Sequence, residues 1–166
     1  MLVKLLRLWM TICLSAIPCF AEGRQDLSLT VSLPKGKAPT TLFVVFENHS
    51  EAPIRLWQNS NFWGWNNLSV VLIRRGVPLF YVRRLNEPFT ANWPTFDKVP
   101  AGHRLERKIV LADGSWICSG RAVAEILDSD TIIATYVVSK SEEGDTRSVW
   151  TGVACGGLVP NSQVKE

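Results

Sequence analysis

Apolar and polar residues alternate along much of this 166-residue chain, which is the pattern of a β-strand with one buried face. The alternation is clearest in residues 27–33, where leucine and valine alternate with serine and threonine. Residues 40–47 form a denser run of β-branched and aromatic residues, which is typical of a central strand. The pattern therefore predicts two strands, joined by a turn at residues 34–39 that contains two prolines.

Similar apolar runs, separated by turn residues, continue to residue 155. The further predicted strands lie at residues 54–57, 68–73, 77–85, 104–111, 131–138 and 148–155. Arg74-Arg75-Gly76 and residues 142–145 are predicted hairpin turns, and Pro78 is expected to mark a sheet edge. Residues 86–99 lose their periodicity and predict a long loop, whereas residues 121–127 fit a short helix or a strand equally well.

These segments predict seven to nine short strands and no long amphipathic helix. This combination is typical of an all-β domain, and we expect an immunoglobulin-like antiparallel β-sandwich. The tryptophan-rich residues 59–69 are expected to cross from one sheet to the other. Arg107 interrupts the apolar face of its strand, so we expect it either at a sheet edge or beside a partner.

The first 21 residues have the features of a secretory signal peptide. Lys4 and Arg7 precede an uncharged apolar run at residues 8–17, and small residues precede a cut after Ala21. The run is shorter than the roughly 20 apolar residues that span a bilayer. An uncleaved anchor helix agrees less well with this length, so we expect a secreted or periplasmic protein.

Cleavage would leave a mature domain at residues 22–155 and a polar tail at residues 156–166, which we expect to be flexible. Without Lys4 and Arg7, basic residues exceed acidic residues by one. This balance argues against a nucleic-acid partner, which requires a clustered basic surface. The mature chain has no second apolar stretch of membrane-spanning length, so no membrane span is expected after cleavage.

Two cysteines remain after cleavage, Cys118 and Cys155. An even number of cysteines in an exported chain predicts a disulfide. Closing a loop of this length stabilises a fold by roughly 4 kcal/mol in the chain-entropy account. The alternative is two separate buried thiols. A redox or metal role is not indicated, because the chain lacks C-x-x-C spacing and a nearby histidine.

Trp63 and Trp65 are the first candidates for ligand binding. In an extended segment, side chains two residues apart lie on one face, so the two indoles would form an aromatic platform. Asn66 and Asn67 would supply hydrogen bonds to a sugar or peptide on that platform. The structural alternative, which we favour, is that the two rings fill the core and that Gly64, which has no side chain, permits close approach of neighbouring parts of the chain.

Four arginines form the second candidate site. Arg74 and Arg75 lie at the end of one predicted hairpin arm, and Arg83 and Arg84 lie on the other. If the arms pair, the four side chains could gather into a basic patch for an acidic partner. The alternative, which we favour, is that they protect strand ends against aggregation.

The sequence offers little support for catalysis or for a cofactor. It contains no G-x-S-x-G or H-E-x-x-H motif and no glycine loop that would bind phosphate. His49 and His103 are expected in exposed turns, without the ligand spacing of a metal site. Several acids are present, and their spacing does not predict the paired geometry of a glycosidase.

Four segments, in this order, resemble an uncharacterised family of secreted bacterial immunoglobulin-like sandwiches. They are residues 46–54 (FENHSEAPI), 63–69 (WGWNNLS), 99–102 (VPAG) and 149–152 (VWTG). The arrangement of strands and turns is also distantly similar to the BsuPI-type proteinase inhibitor domain. The resemblance covers residues 42–155 and implies a sandwich fold, but it brings no catalytic residue with it.

Together, these observations predict a non-enzymatic secreted sandwich with a binding or structural role and an unknown protein or glycan partner. One alternative is a carbohydrate-binding module that uses Trp63 and Trp65. The other is a proteinase inhibitor, for which residues 86–99 are the candidate loop.

Overall fold

Residues 26–34, 40–84 and 93–158 are described in a computed structural model of the protein. The strands are β1 (Leu27–Ser32), β2 (Thr41–Asn48), β3 (Ile54–Trp57), β4 (Leu68–Arg74), β5 (Val77–Arg83), β6 (Phe96–Val99), β7 (Arg104–Val110), β8 (Trp116–Cys118), β9 (Thr131–Val138) and β10 (Gly152–Gly157). Two single-turn helices, α1 (Phe62–Trp65) and α2 (Glu142–Thr146), lie between strands. The predicted signal peptide at residues 1–21 lies outside the described residues.

The strands form three sheets whose neighbours pair antiparallel. One sheet has the order β1-β2-β7, a second has the order β10-β9-β4-β5-β8, and β3 pairs with β6. The fold is therefore all-β, as predicted. The tryptophan-rich segment connects β3 to β4, and so passes from the two-stranded to the five-stranded sheet.

Period-2 alternation correctly identifies the buried face of each major strand. Leu29, Val44 and Val70 are at most 3% exposed. The three-stranded and five-stranded sheets share one core, in which the Phe46 ring of β2 meets the Tyr136 ring of β9 edge to face at 5.1 Å. Aromatic and aliphatic side chains from the two sheets thus exclude water from a common interior.

The predicted hairpin between β4 and β5 is formed. Arg74 pairs with Val77, and Arg75 and Gly76 between them have φ values of 50° and 78°. Two left-handed residues in a two-residue loop make a type I′ turn, whose twist matches that of the strands. On the other side of β5, the described strand β8 pairs only with residues 81–83, so it leaves Pro78 unpaired there, as a proline requires.

Four segments differ from prediction. Residues 96–99 form β6 rather than the end of a loop, and β8 is an additional three-residue strand. Residues 121–127 form neither helix nor strand. The turn between β9 and β10 contains α2, and the return strand begins at Gly152 instead of residue 148. With β6 and β8, the described residues contain ten strands, more than the seven to nine predicted.

The end of the domain also differs from prediction. The tail was expected from residue 156, but β10 continues through Gly157, and Leu158 bridges Val31 of β1 in parallel. At Gly156 a β-carbon would lie 1.7 Å from the Leu29 carbonyl oxygen, so β1 and β10 approach too closely for any side chain. This contact joins one edge of the three-stranded sheet to one edge of the five-stranded sheet.

The predicted disulfide between Cys118 and Cys155 is wrong: no bond joins the two sulfurs. Cys118 lies on β8 and Cys155 on β10, the two opposite edges of the five-stranded sheet. Four strand spacings of about 4.8 Å separate them by roughly 19 Å. A disulfide requires α-carbons within about 7 Å. Both side chains are instead partly buried thiols.

Candidate functional site

Helix α1 is a single turn held in place by Asn61. The Asn61 side chain accepts a hydrogen bond from Gly64 N at 2.9 Å, which caps the turn. Its amide nitrogen donates to the Thr95 carbonyl oxygen at 2.8 Å, so the turn is fixed to the segment before β6. Gly64 packs against the Gln58 carbonyl, where a β-carbon would lie only 2.1 Å from the oxygen.

This helical turn overturns the predicted tryptophan platform. Residues two apart point to different sides of a helix, so Trp63 and Trp65 do not share one face. The Trp63 ring packs beside Trp57, with centroids 6.0 Å apart, against the core. Asn66 is the exposed C-cap of the turn, and the Asn67 carbonyl accepts from Val137 N. The four predicted residues therefore do not form one binding surface.

Trp65 instead belongs to a stack of rings around Arg83. The Arg83 guanidinium carbon lies 4.4 Å from the Trp65 ring centroid and 4.2 Å from that of Trp116. The Trp65 indole nitrogen donates to the Arg84 carbonyl oxygen at 2.7 Å, and Arg83 also donates to Ser115 Oγ. Cation–π attraction to both indoles holds the guanidinium in a defined position at the end of β5.

The predicted basic patch is not assembled, although the hairpin arms do pair. Arg74 and Arg75 lie at the turn, whereas Arg83 and Arg84 lie at the opposite end of β5. Six residues at about 3.3 Å each separate the two pairs by roughly 20 Å. The register of the hairpin therefore places the charges apart.

Arg74 has a structural role, because it pairs with Asp130. Its Nε and Nη2 donate to the two carboxylate oxygens at 2.9 and 2.6 Å, and Nη2 also donates to the Glu125 carbonyl. The hydrogen bonds from Arg74, together with one from Leu127 N, lower the pKa of the buried Asp130 carboxyl, although burial opposes this shift. The pair anchors the irregular segment before β9.

Arg83 lines a shallow, open polar cleft of about 340 Å³ between the end of β5, the β3–α1 connection, β6 and β7. The residues that line it are Gln58, Asn59, Ser60, Arg83, Asp97, Arg107 and Lys108. Three of these side chains are cationic and one is anionic. The cleft therefore carries a net positive charge and several amide and hydroxyl groups.

Arg107 forms the rigid floor of this cleft. It is 8% exposed and donates to Asn59 Oδ1 at 2.7 Å, to the Trp57 carbonyl oxygen at 2.8 Å and to Asp97 Oδ2 at 2.9 Å. Its guanidinium carbon also lies 4.9 Å from the Phe46 ring centroid. β7 is an edge strand, so both sequence expectations for Arg107, an edge position and a partner, are confirmed.

The rest of the floor is also held by hydrogen bonds. Gln58 donates to Asp97 Oδ1 at 2.9 Å and accepts from Thr95 Oγ1 at 2.8 Å. Asp97 thus receives hydrogen bonds on both oxygens, from Arg107 and from Gln58. The charges of Arg107 and Asp97 compensate each other within this network, and Lys108 and Arg83 are the other cationic residues of the lining.

Sequence reasoning did not find this cleft. Its signal was the interruption of an apolar face by Arg107, which indicates a buried charge with a partner. The sequence identified Arg83 as a candidate, but it grouped Arg83 with the other arginines of the predicted basic patch rather than with the residues that line the cleft. Gln58, Asp97 and Lys108 carry no local pattern, because they meet only when β3 pairs with β6 and β7 packs beside them.

The other predicted features are placed as follows. His49 and His103 are exposed, and His49 shares a hydrogen bond with Ser28 Oγ at 2.7 Å. Within the described part of the chain, no cluster of histidine, cysteine or acidic residues is placed to hold a metal ion. None of the helices in that part has the length and apolarity to cross a bilayer.

Comparison with protein-family models, with curated proteins and with solved structures finds no match to this chain. The fold and the cleft therefore define it only as an all-β protein with a positively charged polar cleft at the edge of its sheets.

Proposed function

We propose that this protein is a secreted or periplasmic, non-enzymatic binding protein with an immunoglobulin-like β-sandwich fold, and that its cleft binds a small anionic ligand. The observation that carries the proposal is that two cationic residues, Arg83 and Lys108, both line a cleft whose floor consists of hydrogen-bonded polar groups. The ligand class is a small molecule that bears a carboxylate or phosphate group. The predicted N-terminal signal peptide is the reason to propose a location outside the cytoplasm.

The charge distribution supports an anionic ligand. Besides the Arg107–Asp97 salt bridge, the cleft is lined by two further cationic residues, Arg83 and Lys108. A guanidinium recognises an oxyanion through a planar pair of donors, and an ammonium adds a flexible point charge. Two positive charges at one concave surface attract an anion from solution.

The rigidity of the floor supports binding rather than a simple solvated surface. Arg107, Gln58 and Asn61 are each held by at least two hydrogen bonds, and Arg83 lies between two indoles. Side chains that are already ordered lose less entropy when a ligand arrives. The amide and hydroxyl groups of Asn59 and Ser60 add the directional contacts that a polar ligand needs.

Two observations favour a non-enzymatic role. Among the described residues that line the cleft there is no histidine or cysteine, and their one carboxylate, Asp97, already accepts hydrogen bonds on both oxygens. Asp97 is thereby engaged in holding the floor of the cleft. The β6 strand occupies part of the candidate inhibitor loop, and residues 86–92 of that loop lie outside the described residues, so an inhibitory role has no support here.

The test is calorimetric titration of the mature protein with glucuronate, inorganic phosphate and uncharged glucose. We expect both anions to bind and glucose not to bind. Lys108→Gln should weaken anion binding at least about tenfold, which is ~1.4 kcal/mol. Lys98→Gln is the matched control, because Lys98 is an exposed lysine of β6 that does not line the cleft. Absence of anion binding, or equal binding of glucose and glucuronate, would refute the proposal.

A further inference from the structure

The two outer faces of the β-sheets differ in chemistry. On the three-stranded sheet, the face away from the core carries Ser28, Thr30, Ser32, Phe43, Val45, Glu47, Arg104, Glu106, Lys108 and Val110. This mixture of hydroxyl, charged and apolar residues is what a solvent-facing antiparallel sheet normally shows. The five-stranded sheet has a different outer face.

Strand parity and register define that face. Alternate residues of each strand point away from the core: Val153, Cys155 and Gly157 on β10; Thr131, Ile133, Thr135 and Val137 on β9; Ser69, Val71 and Ile73 on β4; Pro78, Phe80 and Val82 on β5; and Ile117 on β8. We name these residues the outer apolar face. None of them is charged, and most are branched aliphatic or aromatic.

The side chains of this face are exposed or partly exposed to solvent. Phe80, Val82, Ile117, Val137 and Val153 are 42 to 54% exposed. Such residues normally lie singly on a protein surface, whereas here they share one continuous face across five paired strands. A sheet that is apolar on both sides indicates that both sides are covered in the functional protein.

We propose that the outer apolar face is the interface of a homodimer, in which two copies pack their five-stranded sheets face to face about a two-fold axis. In such an interface each copy presents the same patch to the other. A face without charge suits this arrangement, because a two-fold axis would otherwise bring like charges together. Sheet-on-sheet packing is a standard way to bury two apolar sheet faces.

The area of the face agrees with a dimer. Strands lie about 4.8 Å apart, and same-face residues lie about 6.7 Å apart along each strand, so each residue occupies about 32 Å². The fourteen residues of the outer apolar face therefore give a footprint of roughly 450 Å². Two copies cover roughly 900 Å² of flat surface, and interdigitated side chains bury more. A specific interface needs about 1,000 Å² in total. The dimer is therefore expected to be of moderate affinity.

Shape and charge favour a second copy over other occupants. An open sheet face lacks the walls of a groove that would hold a helix or an extended peptide. An anionic lipid surface would be bound through basic residues among the apolar side chains, and the outer apolar face has none. A second copy provides a surface of matching apolarity.

The experiment is sedimentation velocity of the mature protein between about 1 and 200 µM, with Val82→Lys and Phe80→Lys as separate variants. We expect a monomer–dimer equilibrium for the unchanged protein. Each lysine enters the interface twice, once from each copy, and leaves a buried, unpaired charge. Each variant should therefore weaken dimerisation by at least about 100-fold.

Val45→Lys is the matched control. Val45 is a partly exposed valine of the central strand of the other sheet, on its mixed polar face, so this variant should dimerise like the unchanged protein. Circular-dichroism melts will establish that all variants are folded. A wild-type monomer at 200 µM would overturn the proposal, whether or not that monomer binds lipid vesicles. A dimer that survives both Val82→Lys and Phe80→Lys would also overturn it.

Discussion

Arg107 provides the most direct test of how the cleft is built. Replacing it by alanine removes a guanidinium that is 8% exposed and donates three hydrogen bonds of 2.7 to 2.9 Å. The Trp57 carbonyl and the Asn59 side chain lose neutral hydrogen bonds, worth about 0.5 to 1.5 kcal/mol each. Asp97 loses a charge-assisted bond, worth about 1.5 to 3 kcal/mol.

The full sum overstates the effect of Arg107→Ala, because Asp97 is 29% exposed and water can replace part of what it loses. We therefore expect a loss of about 3 kcal/mol in the free energy of unfolding, or roughly 10 °C in melting temperature. The free energy of unfolding of Arg107→Lys should lie between those of the unchanged protein and Arg107→Ala, because an ammonium keeps the charge but cannot reproduce the planar set of donors.

Urea unfolding of the mature protein, followed by tryptophan fluorescence, measures this difference. Arg104→Ala is the control from the same strand: its side chain is 67% exposed and pairs with Glu47 at the surface, so its loss should cost no more than about 0.5 kcal/mol. If Arg107→Ala is no more destabilising than Arg104→Ala, the buried network does not stabilise the cleft as argued.

Three further predictions follow from the packing and the charges. Gly64→Ala should lower the free energy of unfolding, measured by thermal denaturation, by more than about 2 kcal/mol, because the new β-carbon would lie 2.1 Å from the Gln58 carbonyl oxygen. In the control Gly120→Ala, the β-carbon meets only the Leu79 side chain at 3.1 Å, so the loss should be less than half as large. Because the pKa of Asp130 is lowered in the folded state, its contribution to stability is present above about pH 4 and is lost as the pH falls through the folded pKa. In Asp130→Asn, the free energy of unfolding should therefore fall less steeply on acidification than in the unchanged protein. The same fall in both proteins would contradict this prediction. Thiol titration of the denatured, unreduced mature protein should find both Cys118 and Cys155 as thiols. A count of zero would show that the two cysteines form a disulfide after all.

Strand positions were predictable because burial of one sheet face imposes a period of two on the sequence. That signal correctly located the main strands and the hairpin turn at Arg75 and Gly76, where the φ values are positive. The pattern is local, so it does not depend on how the strands are arranged in space. It fails for β6 and β8, since strands of four and three residues are too short to show a period.

The candidate site was not predictable in the same way, because it depends on contacts between distant segments. The turn at α1 forms where Asn61 bonds to Thr95, 34 residues later in the chain, and this contact replaces the extended geometry expected for Trp63 and Trp65. The arginine patch failed for a related reason. Pairing of β4 with β5 was correct, but the register places the two pairs of arginines at opposite ends.

The close approach of Gly156 to Leu29 has a consequence for the behaviour of the protein at high concentration. An unpaired strand edge is a template on which further chains can add by cross-β growth. At the junction of β1 and β10, the absent side chain and the Val31–Leu158 bridge let each sheet edge shield the other. A bulkier residue at position 156 would open this seam and expose two templates at once, so fibril formation should begin there.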